Sequence, residues 1–398
     1  MDDIIEYIKS FLLYGDTTMT QHIGYTADES LWSRYKVVIV PCGHLGKDPV
    51  LPDMEHPVVE QTGKTFVVRT DLIYNTFFFI SRAEELLNPQ RDEHGRFAAR
   101  FSILGQGNNL EIPLVDEYAR ILMKLLEMDM PQPHYSHIYL THDIDILDYY
   151  RHLRGALGGI HRGHWHDVLS SWQDIHHDPA YTFPWLIEQD AKVPTADVIY
   201  FIKHTGGKGF DYPQYNTNGH DFNQLADSLS RSGARLGLHS SYYGLPAEGK
   251  QADYFRTILA PACPLHRSHY LRCSIDNMQR LADLGYTDDF TMAFPDRAGF
   301  RLQTTRPVRW INPKTLTLTP LTLHPLTLMD CTLSNSNYMN LSEDEAYFFS
   351  EQLLDRVRQH AGEVTLLWHN SIFNSATYHI SLYQKLLKGL RHYTNHPQ

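Results

Sequence analysis

Residues 138–145, Ile-Tyr-Leu-Thr-His-Asp-Ile-Asp, join an apolar run to two carboxylates spaced two positions apart. In an extended chain, residues i and i+2 point to the same face, so Asp143 and Asp145 are predicted to project together from the end of a strand. Two ionised carboxylates side by side repel each other, so a proton or a cation is expected between them. A divalent metal held by one carboxylate, with the other free to take a proton from water, fits this spacing. A pair of acids that caps a loop or the next helix is the alternative.

The bulk composition is that of an ordinary globular protein of more than one domain. The chain has 398 residues, 42% of them hydrophobic and 20% charged, and this length favours two domains. The net charge is −11 and no long basic run occurs, which makes nucleic acid and anionic membrane surfaces poor candidates as partners.

Targeting and disulfide signals are missing from the sequence. The N-terminus is acidic and has no signal-peptide core, and no apolar stretch reaches the ~18–20 residues of a membrane span. Cys42, Cys263, Cys273 and Cys331 form no CxxC and no zinc-type spacing, so a disulfide framework is not expected. A cytoplasmic protein without a membrane span is predicted.

Residues 1–130 are predicted to form a small α/β domain. Helical spacing occurs in residues 4–13, 71–80 and 113–126, and short strands are indicated near residues 36–41 and 58–68. Pro131-Gln132-Pro133 breaks the pattern and marks the predicted domain boundary. The charged side chains of this domain are interpreted as a structural ion-pair network rather than as a site: Arg82, Glu84, Glu85, Asp92 and Arg96.

Residues 131–398 alternate between strand-like and helix-like segments, which predicts a parallel α/β barrel or sheet. Residues 151–180 interrupt this alternation as an irregular, histidine-rich stretch. The run from His161 to His166 could bind a metal, but its glycine-rich, polar surroundings favour a solvated loop near a substrate.

Reactive side chains follow several of the predicted strands in this second region. Besides the two aspartates, His239 follows residues 235–238, His369 ends the apolar run 364–368, and His269 lies in a segment rich in arginine and histidine. In parallel barrels the active site is built at the carboxyl ends of several strands. Aspartate and histidine together suit either a zinc-type site or an acid–base pair.

These segments resemble the motifs of the polysaccharide deacetylases, carbohydrate esterase family four, over about residues 135–395. Residues 141–145 are similar to the family's first motif, which implies that Asp143 is a catalytic base and Asp145 a metal ligand. Residues 237–241 are similar to its second motif, which makes His239 a ligand, and residues 366–369 to its last, which makes His369 the general acid. Residues 296–301 lie where the family has its arginine-containing motif. The resemblance implies a distorted (β/α) barrel.

The chain departs from this family at one ligand. The second motif of the family supplies another histidine at the position where this chain has Tyr243, and a phenol that ionises near pH ~10 is a poor zinc ligand. His269 is the expected replacement as third ligand, and a shell completed by water or a site without metal are the alternatives. Residues 1–130 resemble the accessory domain that precedes deacetylase-like modules in some Bacteroidetes proteins, a resemblance that implies no activity.

The expected function is the removal of an N- or O-linked acetyl group from a sugar or polysaccharide precursor by a hydrolase that uses a divalent metal, with zinc expected. A carbohydrate is therefore the expected partner. Hydrolysis of another linear amide is one alternative, and a non-catalytic carbohydrate-binding or assembly protein, favoured by Tyr243, is another. The candidate substrate contacts are Tyr242, Tyr243, Arg301 and Trp368, although core or rim packing is the alternative for each aromatic ring.

Overall fold

The computed structural model describes residues 1–107, 109–203, 207–245, 264–373 and 377–395. In these ranges the strands are β1 Ile23–Tyr25, β2 Val37–Ile39, β3 Val59–Thr62, β4 Thr65–Val68, β5 His137–Ile144, β6 Asp197–Lys203, β7 Arg235–Ser240, β8 Leu265–Ser268, β9 Asp288–Met292, β10 Val308–Asn312, β11 Thr317–Pro325, β12 Leu328–Met329 and β13 Glu363–Leu367. The helices are α1 Asp2–Leu12, α2 Leu72–Ile80, α3 Glu84–Leu87, α4 Ile103–Gln106, α5 Leu114–Leu125, α6 Leu153–His161, α7 Trp165–Gln173, α8 Phe183–Asp190, α9 His220–Arg231, α10 Ile275–Asp283, α11 Asp330–Ser334, α12 Glu343–Gln359 and α13 His379–Asn395.

Residues 1–130 contain a four-stranded sheet in the order β1-β2-β4-β3, in which only β3 is antiparallel to its neighbour. Helix α2 begins where the Asp71 carboxylate accepts a hydrogen bond from the backbone N–H of Tyr74, at 2.8 Å. Every residue of α2 is buried, which explains a helix that is apolar on all sides.

The second sheet has nine strands in the order β10-β11-β9-β8-β7-β6-β5-β13-β12, and only the β10–β11 pair is antiparallel. Strands β11 and β12 belong to one short segment of chain, yet β11 pairs with β9 and β12 pairs with β13. Residues 317–329 therefore run beside two strands that are far apart in the sheet order, and the sheet curls back on itself. The chain has a mixed α/β fold built on this curled sheet.

A buried histidine links three strands where the sheet curls together. His324 of β11 has its Nδ1 atom 2.8 Å from a carboxylate oxygen of Glu363 on β13 and its Nε2 atom 3.0 Å from one of Asp288 on β9. Its ring stacks on Phe290 with 4.2 Å between ring centroids. Burial alone would lower the pKa of His324, but the two carboxylates outweigh it and raise this pKa to about 9.

The two halves of the chain share one hydrophobic cluster. Side chains of α1, α2 and α5 pack in the same cluster as those of β10 and β11, among them Trp310 and Leu323. The fully buried Asp116 carboxylate of α5 accepts hydrogen bonds from Thr304, Thr305 and Arg306 of the second half. Residues 1–130 are thus packed against the larger sheet by apolar and polar contacts alike.

Two segments differ from the prediction. Residues 151–180 are not irregular, since they contain α6 and α7, and the glycines and histidines there had concealed an apolar residue at every third or fourth position. The bounds of strand β8 were not predicted, because three of its four buried residues, His266, Arg267 and Ser268, are polar. Cys42, Cys273 and Cys331 carry free thiols, and Cys263 lies outside the described residues. No described helix has both the length and the apolar character needed to span a bilayer.

Candidate active site and metal centre

The carboxyl ends of four parallel strands meet at one end of the curled sheet. Asp143 lies next to the last residue of β5, and Asp145 follows that strand directly. His239 lies near the end of β7, His269 follows β8, and His369 lies two residues after β13. The five side chains that were predicted to be catalytic or metal-binding therefore lie close together, as expected for parallel strands.

Three of these side chains form a tight donor triad of Asp145, His239 and His269. A carboxylate oxygen of Asp145 lies 3.3 Å from His239 Nε2 and 3.2 Å from His269 Nε2. One ligand atom from each residue can be chosen so that all three lie within 4.8 Å of one another. This spacing suits one ion bound between two imidazoles and a carboxylate.

The second nitrogen of each imidazole is fixed by a partner behind it. His239 Nδ1 donates to the carbonyl oxygen of Arg267 at 3.1 Å, and His269 Nδ1 lies 3.0 Å from a carboxylate oxygen of Asp211. Both contacts orient the ring so that Nε2 faces Asp145, which is the arrangement of a metal-ligating histidine. Among the described residues, the buried His239 Nε2 and Asp145 Oδ1 atoms have no hydrogen-bond partner, so the triad fits a cation.

The charges of the triad depend on one another. Burial raises the pKa of Asp145, but the charge of His269 and the contacts with both histidines hold it well below its usual range. Burial also lowers the pKa of His239, which favours the neutral imidazole that a metal requires. The carboxylate is therefore ionised and His239 is neutral near neutral pH.

Asp143 has a different partner from Asp145, although only one residue separates them. Its carboxylate accepts a hydrogen bond of 3.0 Å from Nη1 of Arg267, whose side chain is fully buried and lies over the Phe201 ring with 4.4 Å between the guanidinium carbon and the ring centroid. The other Asp143 oxygen lies 3.6 Å from His239 Nε2. Arg267 donates to one oxygen of the Asp143 carboxylate and so orients it beside the triad, and the second Asp143 oxygen accepts no hydrogen bond from Arg267.

His369 is held by an aspartate that the sequence analysis did not identify. Its Nδ1 atom lies 2.9 Å from one carboxylate oxygen of Asp330, and its backbone N–H donates to the other at 2.7 Å. Burial lowers the pKa of His369, but the Asp330 charge dominates and raises it well above its usual range. The free Nε2 atom lies 3.9 Å from Asp143 and 3.7 Å from Asp145. A protonated imidazole therefore faces the two carboxylates.

These groups line a pocket of about 360 Å³, to which residues 1–130 contribute the side chain of Arg96. Arg96 lines the pocket and is held by Asp92 at 2.7 Å and by the hydroxyl of Tyr338 at 3.0 Å. His94 of the same turn lies 3.2 Å from the Tyr242 hydroxyl and packs against Tyr270 with 4.9 Å between ring centroids. The sequence had indicated only a structural ion-pair role for Asp92 and Arg96.

The predicted substrate contacts are not placed alike. Tyr243 is 62% exposed and does not belong to the donor triad, and Tyr242 lies behind the pocket rim against Phe210. Arg301 is buried away from the pocket, where it donates to Glu85 at 2.7 Å and to the carbonyl oxygen of Ala293 at 2.8 Å. Trp368 is fully buried in the hydrophobic core. The structure therefore places Arg301 and Trp368 in the packed interior, and neither lines the pocket.

Among the features at or behind the site that the sequence did not reveal are Asp211, Arg267, Asp330 and the place of Arg96 in the pocket lining. Asp330 follows the short strand β12 directly, so the same strand-end signal that marked Asp143 was present there. Arg267 gave no such signal, because its partner lies 124 positions away in the sequence.

The comparisons with known proteins are distant. Residues 2–131 match a family of unknown function, DUF7033, and no curated protein matches the chain. A protein from Mycobacterium smegmatis, provisionally named a polysaccharide deacetylase, has a TM-score of 0.42 at 13% identity over 66% of this chain and 86% of its own. Another of that provisional name, involved in O-antigen biosynthesis in Bordetella bronchiseptica, has a TM-score of 0.33 at 17% identity over 67% of this chain and 88% of its own. Both TM-scores lie below 0.5 and carry no weight for the reaction.

Proposed function

We propose that this chain is a metal-dependent hydrolase that removes N- or O-linked acetyl groups from a carbohydrate. The observation that carries the proposal is the arrangement of three units in one pocket: a donor triad, a carboxylate held by a buried arginine, and an imidazole kept protonated by a buried aspartate. Hydrolysis of an amide or ester needs a base for water, an acid for the leaving group and stabilisation of the oxyanion, and these units supply each of them.

We assign the metal ligands to Asp145, His239 and His269, and the oxygen and nitrogen donors favour zinc. When bound, such an ion polarises the acetyl carbonyl and makes water more acidic. Asp143 takes the proton of the attacking water, with Arg267 fixing its orientation. His369 gives its Nε2 proton to the leaving nitrogen or oxygen, so the products are acetate and the free amine or alcohol. The curled sheet is, on this proposal, the distorted (β/α) barrel of the deacetylases.

The two halves of the chain contribute differently to the pocket. Residues 131–398 carry the reacting groups, and residues 1–130 contribute Arg96 to the pocket lining. The alternative of a non-catalytic binding protein was motivated by Tyr243 in place of a histidine. His269 beside Asp145 supplies a third donor without that position, which supports the enzyme over the binding protein.

Acetate release by an Asp143→Asn variant tests this proposal. The change keeps the size of the side chain but removes the proton acceptor, so release from acetylated amino-sugar oligomers should fall by ~10²–10⁴-fold. Zinc content should stay at the wild-type level because the triad is intact. Asp227→Asn, at an exposed position of α9, is the matched control and should act like the wild type. Equal activity in Asp143→Asn would remove this residue from the mechanism, and no release by the zinc-loaded wild type would favour the binding protein.

A further inference from the structure

Helices α6 and α7 present their large apolar side chains to solvent. The exposed fraction is between 53% and 75% for six of them, three on each helix: Leu153, Leu157, Ile160, Trp165, Leu169 and Trp172. Their spacing of i, i+4 and i+7 places each set of three along one face of its helix. We call these six side chains the apolar hairpin face.

The small residues of the same helices point inward. Ala156, Val168 and Ser171 are buried, and a Cβ atom added to Gly159 would come within 2.7 Å of the Val168 side chain. This close packing leaves no room to turn the large side chains inward. On these helices the large apolar side chains face solvent and the small residues face the protein. A surface helix of a globular protein usually has the reverse arrangement. An apolar surface of this kind marks an interaction site.

The apolar hairpin face is bordered by basic side chains. Residues 148–178 contain three arginines and four aspartates, and one of the arginines, Arg151, is paired with Asp221 at 2.8 Å. Arg154 and Arg162 are exposed. The net charge of the chain had argued against an anionic membrane, but these two exposed arginines lie next to the apolar side chains of α6.

The hairpin begins at the rim of the candidate active site. Arg154 lies over the ring of Tyr212 with 5.2 Å between guanidinium carbon and ring centroid, and His152 Nε2 lies 3.4 Å from the hydroxyl of that tyrosine. Tyr212 lines the pocket, as does Ser371, whose carbonyl oxygen accepts a hydrogen bond from Tyr149. A surface on which the hairpin docks would therefore lie beside the pocket mouth.

We propose that the apolar hairpin face docks on the surface of a phospholipid membrane that contains anionic lipids. Two tryptophans among aliphatic side chains, with arginines beside them, have the composition of a helix that lies in a membrane interface. A symmetric contact with a second copy of the chain fits less well, because it would bring the arginines of two hairpins together. For the deacetylase, and resting on that proposed function, this docking selects sugars carried on a lipid as the substrate class.

Flotation of the full chain with vesicles of phosphatidylcholine and phosphatidylglycerol tests the docking. The wild type should float with the vesicles, and a Trp165→Ser, Leu169→Ser, Trp172→Ser variant should lose ~10-fold or more of this binding, since three apolar side chains no longer enter the interface. An Arg154→Gln, Arg162→Gln variant should bind less well than the wild type, by a smaller factor. The control Phe348→Ser removes an apolar side chain that is 66% exposed on α12 and should float like the wild type.

The outcomes separate this proposal from the proposed reaction. Asp143→Asn should float like the wild type, because docking needs no catalysis. Unchanged thermal unfolding of the serine variant shows that it is folded. No flotation of the wild type, or equal flotation of the serine variant, overturns the docking. The docking is also overturned if the wild type sediments as a dimer, the serine variant sediments as a monomer, and neither protein binds vesicles. A second copy of the chain would then cover this face.

Discussion

Asp143 and Asp145 are alike in type and close in sequence, yet their neighbours give them different chemistry. Asp145 faces two imidazoles, whereas Asp143 is paired with a buried guanidinium. A carboxylate among nitrogen donors suits a cation, and a carboxylate fixed by arginine with one free oxygen suits proton transfer. The roles are set by side chains that come from other strands, and substitutions of those side chains are the sharpest tests at this scale.

Removing the Asp330 charge should change the pH dependence of activity. Asp330 raises the pKa of His369, so in the wild type this imidazole keeps its proton to a higher pH than an ordinary histidine does. Asp330→Asn lowers that pKa, and the alkaline limb of the kcat/KM profile should move to lower pH. The loss should be larger for an amide than for an ester with a good leaving group, which needs no proton. An alkaline limb that does not move would show that another group controls it.

The assignment of His269 as third ligand predicts metal loss in a conservative variant. His269→Gln removes the imidazole but keeps a polar side chain, and zinc content after dialysis should fall well below stoichiometric, because two protein ligands bind zinc weakly. Tyr243→Phe is the comparison, since it removes the hydroxyl at the position where the deacetylase motif has histidine. Its zinc content should equal that of the wild type, and the reverse pattern would exchange the two assignments.

Single residues were predictable where a strand end marked them. Asp143, Asp145, His239 and His369 each follow an apolar run, and parallel pairing alone brings such ends together. The side chains that tune them were not predictable in this way. Arg267 lies inside a strand with a partner far away in the sequence, and Arg301 matched a motif position but is bound to Glu85, a contact that only the packing of residues 1–130 against the curled sheet creates.

The turn of residues 92–97 shows how a small element can complete a site. It lies between α3 and α4, and it reaches the pocket because Asp92 fixes the Arg96 side chain while Arg272 donates to the carbonyl oxygen of His94 at 2.7 Å. A guanidinium has five N–H donors, and the contacts to Asp92, Tyr270 and Tyr338 use only some of them. The others are available to hydroxyl or carboxylate groups of a sugar.

Arg96→Gln should therefore weaken substrate binding more than it slows the reaction. We expect KM to rise by ~10-fold, which corresponds to the loss of one hydrogen bond to a charged group, while kcat changes less. Arg100→Gln, on the same segment but half-exposed and outside the pocket lining, is the control and should leave both constants unchanged. A fall in kcat at constant KM would place Arg96 in the support of the reacting groups instead.

At the scale of elements, the three long helices within residues 1–130, α1, α2 and α5, were predicted to within a few positions because their apolar residues are regularly spaced and buried. The four-residue helices α3 and α4 were not predicted. Helices α6 and α7 were missed for the opposite reason. Their apolar residues face solvent, and the glycines and histidines between them suggested a loop. Helix prediction from sequence assumes that the apolar residues of a helix are buried, and this assumption does not hold for α6 and α7.

Across the whole molecule, stability should depend on the charge of His324. Its pKa of about 9 in the folded protein lies above the unfolded value near 6.5, so its contribution is complete below pH ~6.5 and is lost as pH rises through about 9. The loss is on the order of 3 kcal/mol, and His324→Gln should flatten this part of the curve. Urea unfolding between pH 6 and 10 measures it. A wild-type stability that does not fall in this range would contradict the assignment.

The shared cluster bears on how this protein can be cut and recombined. The sequence match to a family ends at residue 131, but a fragment that starts there would expose Trp310 and Leu323 of the curled sheet and leave Arg306 without Asp116. Such a fragment is expected to aggregate when produced alone. Transplanting residues 1–130 onto another enzyme would fail for the same reason, unless the recipient sheet carried the matching apolar surface. Boundaries drawn from sequence families and boundaries of autonomous folding are here two different things.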